Sequence, residues 1–355
     1  MNSPVRRIQV LVVEDSPVDR MLLVHIINSD PRLHVVGTAA NGKAALALNL
    51  QLHPDVIIMD VTMPDMDGLE TTSRIMHTQP VPIVVCTGLQ ATDPTIYFRA
   101  IEAGAVTLIG KPEGPGHPEH DESARRVADT LALMSEVRVV RRWARPRPSE
   151  AIAPEPPRPP APRTGTRFIV IGASTGGPLV LQAILDKLPQ PFPVPILIVQ
   201  HISPGFLPGM VSWLQQTTGF PVRIALPNAT PEPGHAYLAP DDLHLGLSAA
   251  GTLVLSAADP ISGLRPAVAH LFRSVVRGPF APNAVGVLLT GMGRDGAAEL
   301  KELHDAGAIT IAQDAENSVV HGMPGEAIRL GAATHILPPD GIATMLTGIV
   351  RQSPP

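Results

Sequence analysis

Apolar residues along this chain come in short runs separated by longer stretches in which they recur every three or four positions. The runs have the length of buried strands and the stretches have the period of amphipathic helices. In the first 143 residues the runs fall at 9–13, 35–39, 56–59, 83–86 and 105–109, and the helical stretches at 17–28, 42–52, 68–76, 94–103 and 123–141. Pro17 suits the first turn of a helix, where its missing N–H has no intrahelical partner to lose. Five strand–helix units predict a doubly wound, five-stranded parallel α/β sheet. The alternation resumes after residue 166, with runs at 168–171, 196–199, 284–289, 309–312 and 335–337 and helical stretches at 179–188, 268–277 and 297–306. Residues 223–256 are richer in β-forming residues and punctuated by Gly and Pro, which predicts a small antiparallel hairpin region added to a second parallel α/β sheet. No internal repeat relates the two halves.

Between them the pattern stops. Eight of the 22 residues in 144–165 are proline, and large apolar side chains are nearly missing. Such a segment is expected to be extended and semi-rigid, a linker of polyproline character. The expected organisation is therefore a domain over 1–143, a linker over 144–165 and a second domain over 166–355.

Composition narrows the functional classes. Hydrophobic residues make up 44% of the 355 and charged residues 17%, enough for two cores and too apolar for wholesale disorder. The net charge of −5, from 27 Lys+Arg against 32 Asp+Glu, gives no reason to expect nucleic-acid binding. A basic cluster at 138–147 sits beside prolines and reads as a helix end and linker. The single cysteine, Cys86, permits no disulfide within the chain and lies in a strand-like run, as expected of a protein in the reducing cytoplasm. No apolar run approaches the roughly 20 residues that span a bilayer, so no membrane insertion is expected. The run behind Arg6-Arg7 is cut short by Glu14-Asp15 and reads as a first strand rather than a leader.

Two sets of polar residues sit at the ends of these strands. In an open parallel sheet, ligands bind beyond the carboxyl ends of the strands. Glu14 and Asp15 end the first predicted strand and Asp60 the third, followed by Met63-Pro64-Asp65-Met66-Asp67-Gly68; Thr87-Gly88 ends the fourth and Lys111-Pro112 the fifth. Clustered carboxylates call for a hard cation, and Mg²⁺ held by Glu14, Asp15 and Asp60 is expected. Such a metal neutralises an incoming phosphoryl group and leaves Asp60 as the nucleophile. Lys111 is placed to pair with a phosphoryl oxygen, and Thr87 to bond the same group and report its arrival.

The second set begins with Ser174 in Phe168-Ile-Val-Ile-Gly-Ala-Ser-Thr-Gly-Gly-Pro178, a strand, a glycine turn and a helix start. The next strand ends in Val199-Gln200-His201, and a later one in Thr290-Gly-Met-Gly-Arg-Asp-Gly296. Ser174, His201 and Asp295 have the makings of a nucleophile, base and orienting carboxylate, in a chain order unlike that of the α/β-hydrolases. The glycine turn also reads as a phosphate cradle, although it lacks the Gly-Lys-Ser/Thr ending of a Walker loop. Equally, His201 reads as a core histidine and Asp295 as the cap of the helix that follows it. Spacing alone leaves these readings open.

Resemblance to known families adds to this. Residues 7–120 resemble the response-regulator receiver domain, with Glu14 in place of an aspartate often found at the first acidic position. The second half resembles the catalytic domain of the CheB family of chemotaxis protein-glutamate methylesterases, through Ile171-Gly-Ala-Ser-Thr-Gly-Gly-Pro178, Val199-Gln-His201, Leu289-Thr-Gly-Met-Gly-Arg-Asp-Gly-Ala297 and Ala312-Gln-Asp314. Ser318-Val-Val-His-Gly-Met-Pro324, Leu238-Ala-Pro240 with His244, and Leu271-Phe-Arg-Ser274 fit as well. The resemblance implies a phosphorylation-controlled serine esterase that demethylates glutamate γ-methyl esters on chemoreceptors and deamidates receptor glutamines. It implies phosphorylation of Asp60 by a histidine kinase, and a receiver that covers the active site until phosphorylated. Ser174 becomes the nucleophile, His201 the general base and acid, Asp295 the orienting group, and the Met292 backbone N–H part of the oxyanion hole. Mg²⁺ is implied for the receiver and no cofactor for the esterase. The family more often has methionine at the position of Ile202, threonine at Leu207, glycine at Glu299 and an aromatic residue at His321; these departures bear on receptor preference.

Overall fold

The computed structural model describes residues 6–88, 94–137, 139 and 165–351. The proline-rich segment 144–165 lies outside the described residues except for Gly165, as do residues 138, 140 and 141 at the end of the fifth predicted helix and, apart from Val139, the basic cluster 138–147. The chain divides into two compact units, Met1–Ser149 and Glu150–Pro355.

The first unit alternates β1 (Ile8–Val13), α1 (Pro17–Ser29), β2 (Leu33–Ala39), α2 (Gly42–Leu52), β3 (Val56–Asp60), α3 (Gly68–Thr78), β4 (Ile83–Thr87), α4 (Pro94–Ala103), β5 (Thr107–Gly110) and α5 (His120–Met134). The five strands form one sheet in the order β2-β1-β3-β4-β5, parallel at every pairing. The strand order reverses at β1, so the crevice at that switch point opens beyond the ends of β1 and β3. β3 and β4 are buried along their whole length, as strands covered by helices on both faces must be. Helix starts follow local chemistry: Ser16 caps α1 by accepting from the Asp19 N–H, Pro17 occupies its first turn, and Asn41 and Asp67 cap α2 and α3.

The second unit runs β6 (Phe168–Ala173), α6 (Gly177–Leu185), β7 (Ile196–Gln200), α7 (Leu207–Thr218), β8 (Val222–Ile224), β9 (Ala236–Leu238), β10 (His244–Leu247) and β11 (Leu253–Ser256). It continues with α8 (Val268–Arg277), a 3₁₀ turn at Ala281–Asn283, β12 (Ala284–Leu288), α9 (Ala297–Asp305), β13 (Ile309–Gln313), α10 (Met323–Arg329), β14 (His335–Leu337) and α11 (Pro339–Arg351). Seven strands form a parallel sheet in the order β14-β13-β12-β6-β7-β9-β8. Of the stretch 223–256, only β10 and β11 form an antiparallel pair; β8 and β9 extend the parallel sheet instead.

What matters for the site is the centre of this sheet. β6 lies between β7 and β12, so the groups that end these three strands are neighbours. α8 packs over β6: Val268, Leu271, Phe272 and Val275 recur at i, i+3, i+4 and i+7 and are fully buried. Burying Phe272 alone contributes about 3 kcal/mol of transfer free energy. That anchorage fixes the N-terminus of α8 next to the ends of the central strands.

Candidate functional site

In the first unit, β1 delivers Glu14 and Asp15, β3 ends in Asp60, β4 in Thr87, and Lys111 follows directly on β5. One carboxylate oxygen from each of Glu14, Asp15 and Asp60 lies within 4.8 Å of the others; Glu14 and Asp60 are buried and Asp15 is exposed. Lys111 Nζ donates to Glu14 Oε1 at 3.0 Å, to Asp19 Oδ2 at 3.0 Å and to Asp60 Oδ2 at 3.3 Å. Glu14 Oε2 also lies 2.8 Å from the ammonium but without the alignment of a hydrogen bond. Arg20 does not neutralise the cluster directly, because its Nη1 donates to the carbonyls of Glu14 and Asp15 at 2.6 and 3.2 Å.

One ammonium thus pairs with three carboxylates, with Asp15 a fourth acid in the same cluster. Burial pushes the Glu14 carboxyl up to about 7, the charge of Asp60 acts in the same direction, and Lys111 opposes both. Burial likewise raises Asp60 against the pull of Lys111. Burial acts to lower Lys111, but its bonds to Glu14 and Asp19 and the charges of Asp60 and Glu14 raise it on balance. A pocket of converging oxygen donors with too little positive charge fits a hard divalent cation. Thr87 is buried at the end of β4, pairs across from Gly110 and accepts the Lys111 N–H through its carbonyl at 2.8 Å. The loop at 89–93 lies outside the described residues.

In the second unit, Ser174 follows β6 and His201 follows β7. Ala173 pairs with Gln200, and the His201 N–H donates to the Ala173 carbonyl at 2.9 Å, so nucleophile and base candidates leave adjacent strand ends side by side. Ser174 is held from the other side, its N–H donating to the Thr290 carbonyl at 3.0 Å. Asp295 reaches the same place from the loop after β12: His201 Nε2 and Asp295 Oδ2 are 2.9 Å apart, with both side chains largely buried.

Asp295 does cap a helix, but not the one that follows it. α9 has Gly296 at its N-cap position and no side-chain cap. The carboxylate instead accepts from the first N–H groups of α8, Val268 to Oδ2 at 2.6 Å and Ala269 to Oδ1 at 3.0 Å. A carboxylate is the group that a helix N-terminus favours, and three donors lock its orientation. With Nε2 committed to Asp295 as donor, Nδ1 is the ring nitrogen left as acceptor.

Two glycines make the geometry possible. Gly176 has φ +79°, and a Cβ there would meet the Val319 side chain at 2.6 Å. At Gly291 a Cβ would run into Met323 Sδ and come within 2.7 Å of Ser174 Cβ. After Gly291 the Met292 N–H is taken up by no acceptor among the described residues.

Sequence reading missed the polar groups that brace this arrangement. Gln200 is buried inside a motif already singled out, and its Nε2 donates to the carbonyls of both Ser174 and His201 at 2.8 Å. Gln313 accepts the Thr290 N–H at 2.8 Å, and Thr290 Oγ1 donates to the Thr175 carbonyl at 3.0 Å. A glutamine that ends a buried strand, as both do, is the available signal. Of the departures, Glu299 is buried and paired with Arg273 at 2.5 Å across α8 and α9, and burial raises its carboxyl. His321 Nε2 lies 3.2 Å from the Gln313 carbonyl, and His235 Nδ1 3.1 Å from the Pro233 carbonyl.

Residues 169–346 match the family model described as CheB methylesterase, and residues 10–117 match the response regulator receiver domain. A protein-glutamate methylesterase/protein-glutamine glutaminase of Geobacter metallireducens is 51% identical over 97% of this chain and 99% of its own length. One of Nitrosospira multiformis is 50% identical over 97% of this chain and 98% of its own. Among solved structures, the Thermotoga maritima CheB methylesterase catalytic domain superposes with a TM-score of 0.50 at 38% identity, covering 53% of this chain and all of that one.

Proposed function

The chain belongs to the CheB methylesterase family, and on that premise we propose that it hydrolyses glutamate γ-methyl esters on chemoreceptors under the control of its receiver. The observation that carries the reading is the meeting of Ser174, His201 and Asp295 at the ends of three adjoining strand segments, with the 2.9 Å contact between His201 and Asp295. His201 Nδ1 takes the hydroxyl proton as Ser174 Oγ attacks the γ-carbonyl. The oxyanion develops beside the Met292 N–H, which bonds no acceptor among the described residues. His201 returns the proton to the methoxy oxygen, and methanol leaves an acyl-serine ester. Water, deprotonated by His201, then attacks that ester; the tetrahedral intermediate collapses to free glutamate and Ser174. On a glutamine side chain the same steps release ammonia, and protonation of the leaving nitrogen matters more. The esterase steps need no cofactor beyond these residues.

The domain reading is a receiver over 1–143, a linker over 144–165 and a catalytic domain over 166–355. In the receiver, Asp60 accepts a phosphoryl group from the histidine kinase of the chemosensory pathway, Lys111 pairs with a phosphoryl oxygen, and Thr87 bonds the same group. Glu14, Asp15 and Asp60 would hold Mg²⁺, which when bound supplies charge neutralisation for the incoming phosphoryl group. No helix among the described residues is long and apolar enough to cross a membrane, and the setting we propose is the cytoplasmic face where receptor glutamates are presented.

The test is methanol release from membranes carrying methyl-esterified chemoreceptor, with and without acetyl phosphate. Release that rises with the phosphodonor is expected, and its absence from the wild-type chain on receptors that a related enzyme demethylates counts against the reading. A second expectation concerns Asp295→Ala. It removes the orienting acceptor and uncaps α8, so kcat should fall by about 10⁴ and stability by about 1–2 kcal/mol. Unchanged denaturant midpoints would contradict the capping role.

A further inference from the structure

We infer that His244 is a positioning residue for the ester hydrolysis, holding the α8 N-terminus that in turn holds Asp295. This rests on the reading of Ser174, His201 and Asp295 as the hydrolytic triad, and it adds a fourth side chain that touches neither substrate nor reacting atoms.

His244 opens β10 and is fully buried. Both of its ring nitrogens are used. Nδ1 accepts the Ala267 N–H at 3.2 Å, and Nε2 lies 3.2 Å from the Asp259 carbonyl, which can only accept. The ring is therefore neutral with its proton on Nε2. It spans the two ends of the segment 259–267, the irregular chain that leads into α8. On its face it is stacked by His270 of α8, with centroids 4.6 Å apart and planes 9° from parallel. The imidazole cannot slide or turn without breaking a hydrogen bond or that stack.

The consequence lies one residue further on. Ala267 is the N-cap position of α8, and it has no side chain able to cap. Three successive backbone N–H groups therefore point outward at Ala267, Val268 and Ala269. Their acceptors are His244 Nδ1, Asp295 Oδ2 and Asp295 Oδ1. The second of these acceptors, Asp295 Oδ2, is also the atom facing His201 Nε2 at 2.9 Å. If the Ala267 N–H loses its acceptor, the first turn is free to shift, and the carboxylate bonded to the next two N–H groups shifts with it. Misplacement by a fraction of an ångström is enough to weaken a proton transfer that depends on hydrogen-bond geometry. His244 thus acts on His201 through α8 and Asp295.

Two substitutions separate positioning from simple packing. In His244→Asn the side-chain oxygen can stand where Nδ1 stands and keep the bond to Ala267. In His244→Gln the longer amide reaches instead toward the Asp259 carbonyl and leaves Ala267 without its acceptor. Both remove the ring and its stack on His270, and a packing role alone predicts that the smaller asparagine, which leaves the larger cavity, loses at least as much as glutamine. The full-length chain is assayed for kcat and KM in methanol release from methyl-esterified receptor membranes. It is assayed separately for the rate at which a fluorophosphonate modifies Ser174, read by mass spectrometry. We expect His244→Asn to stay within about twofold of wild type. His244→Gln should lose about tenfold in kcat, equivalent to about 1.4 kcal/mol of transition-state stabilisation, with KM unchanged and the modification rate falling in parallel. In an Asp295→Asn background the difference between the two variants should vanish, because the path through the carboxylate is already broken. Equal rates for His244→Asn and His244→Gln, or an undiminished difference in the Asp295→Asn background, overturn the proposal. Ser174 modification that follows the expected order in a chain that releases no methanol leaves the positioning role standing and sinks the methylesterase reading instead.

Discussion

Ser174→Ala should abolish methanol release while leaving the catalytic half as stable as before. The expected loss in kcat is about 10⁶, the scale of removing the nucleophile from a triad whose members act as a unit. Stability should change by no more than about 0.5 kcal/mol. The reason is in how Ser174 is held. Its backbone does the structural work, with the N–H on the Thr290 carbonyl and the carbonyl accepting from Gly177 N–H and Gln200 Nε2. The hydroxyl takes part in none of these bonds, and alanine satisfies all of them. His201→Ala should be nearly as severe in rate, and the double substitution little worse than either alone, since neither residue contributes without the other. Asp295 differs from both, because its carboxylate caps α8 as well as orienting His201. Measured side by side, the three substitutions should give two rate losses without a stability loss and one with it. Ordinary turnover by the Ser174→Ala chain would remove the triad assignment altogether.

How far the sequence reached depends on what each feature rests on. The long parallel strands were legible because burial on both faces leaves unbroken apolar runs, as in β3 and β4. β8 and β9 fall within the predicted hairpin region because three residues are too few to show a pattern, and only the pairing of β9 with β7 and of β8 with β9 makes them part of the parallel sheet. The strand-end residues were legible as a set because β6, β7 and β12 are neighbours in the sheet. Their connections were not. Asp295 stands one residue before Gly296, so a local reading assigns it to α9; the helix it caps begins 27 residues earlier in the chain. Asp19 looks like an ordinary acidic residue in the first turn of α1, where the helix dipole explains it, and only the fold brings Lys111 to within 3.0 Å. Glu299 read as an oddity until α8 supplied Arg273. Each missed feature is a tertiary partner, and periodicity carries no information about those.

Asp60→Asn should eliminate phosphorylation of the chain and, with it, any gain in methanol release on adding a phosphodonor. Asparagine preserves the shape of the side chain and can still accept the Val61 N–H that now bonds Asp60 Oδ1 at 2.8 Å. It cannot act as the nucleophile, because an amide oxygen lacks the charge and the leaving equilibrium of a carboxylate. The substitution also removes one of the three carboxylates paired with Lys111, leaving Glu14 and Asp19 as its bonded acids. Asp60 is one of the charges that raise Glu14, so in the Asp60→Asn variant the Glu14 carboxyl should ionise at lower pH than about 7. The variant should therefore stay folded, bind Mg²⁺ more weakly for want of one donor, and keep whatever basal methanol release the unphosphorylated chain has. Incubation with acetyl phosphate and Mg²⁺, followed by mass measurement of the intact chain, reads the first point. The wild type should gain the mass of one phosphoryl group and the variant none. An equal gain in the variant would move the acceptor to another residue, with exposed Asp15 in the same cluster the first to examine. Basal release reads the second point: a variant whose release matches wild type without phosphodonor and does not respond to it ties the response to Asp60 alone.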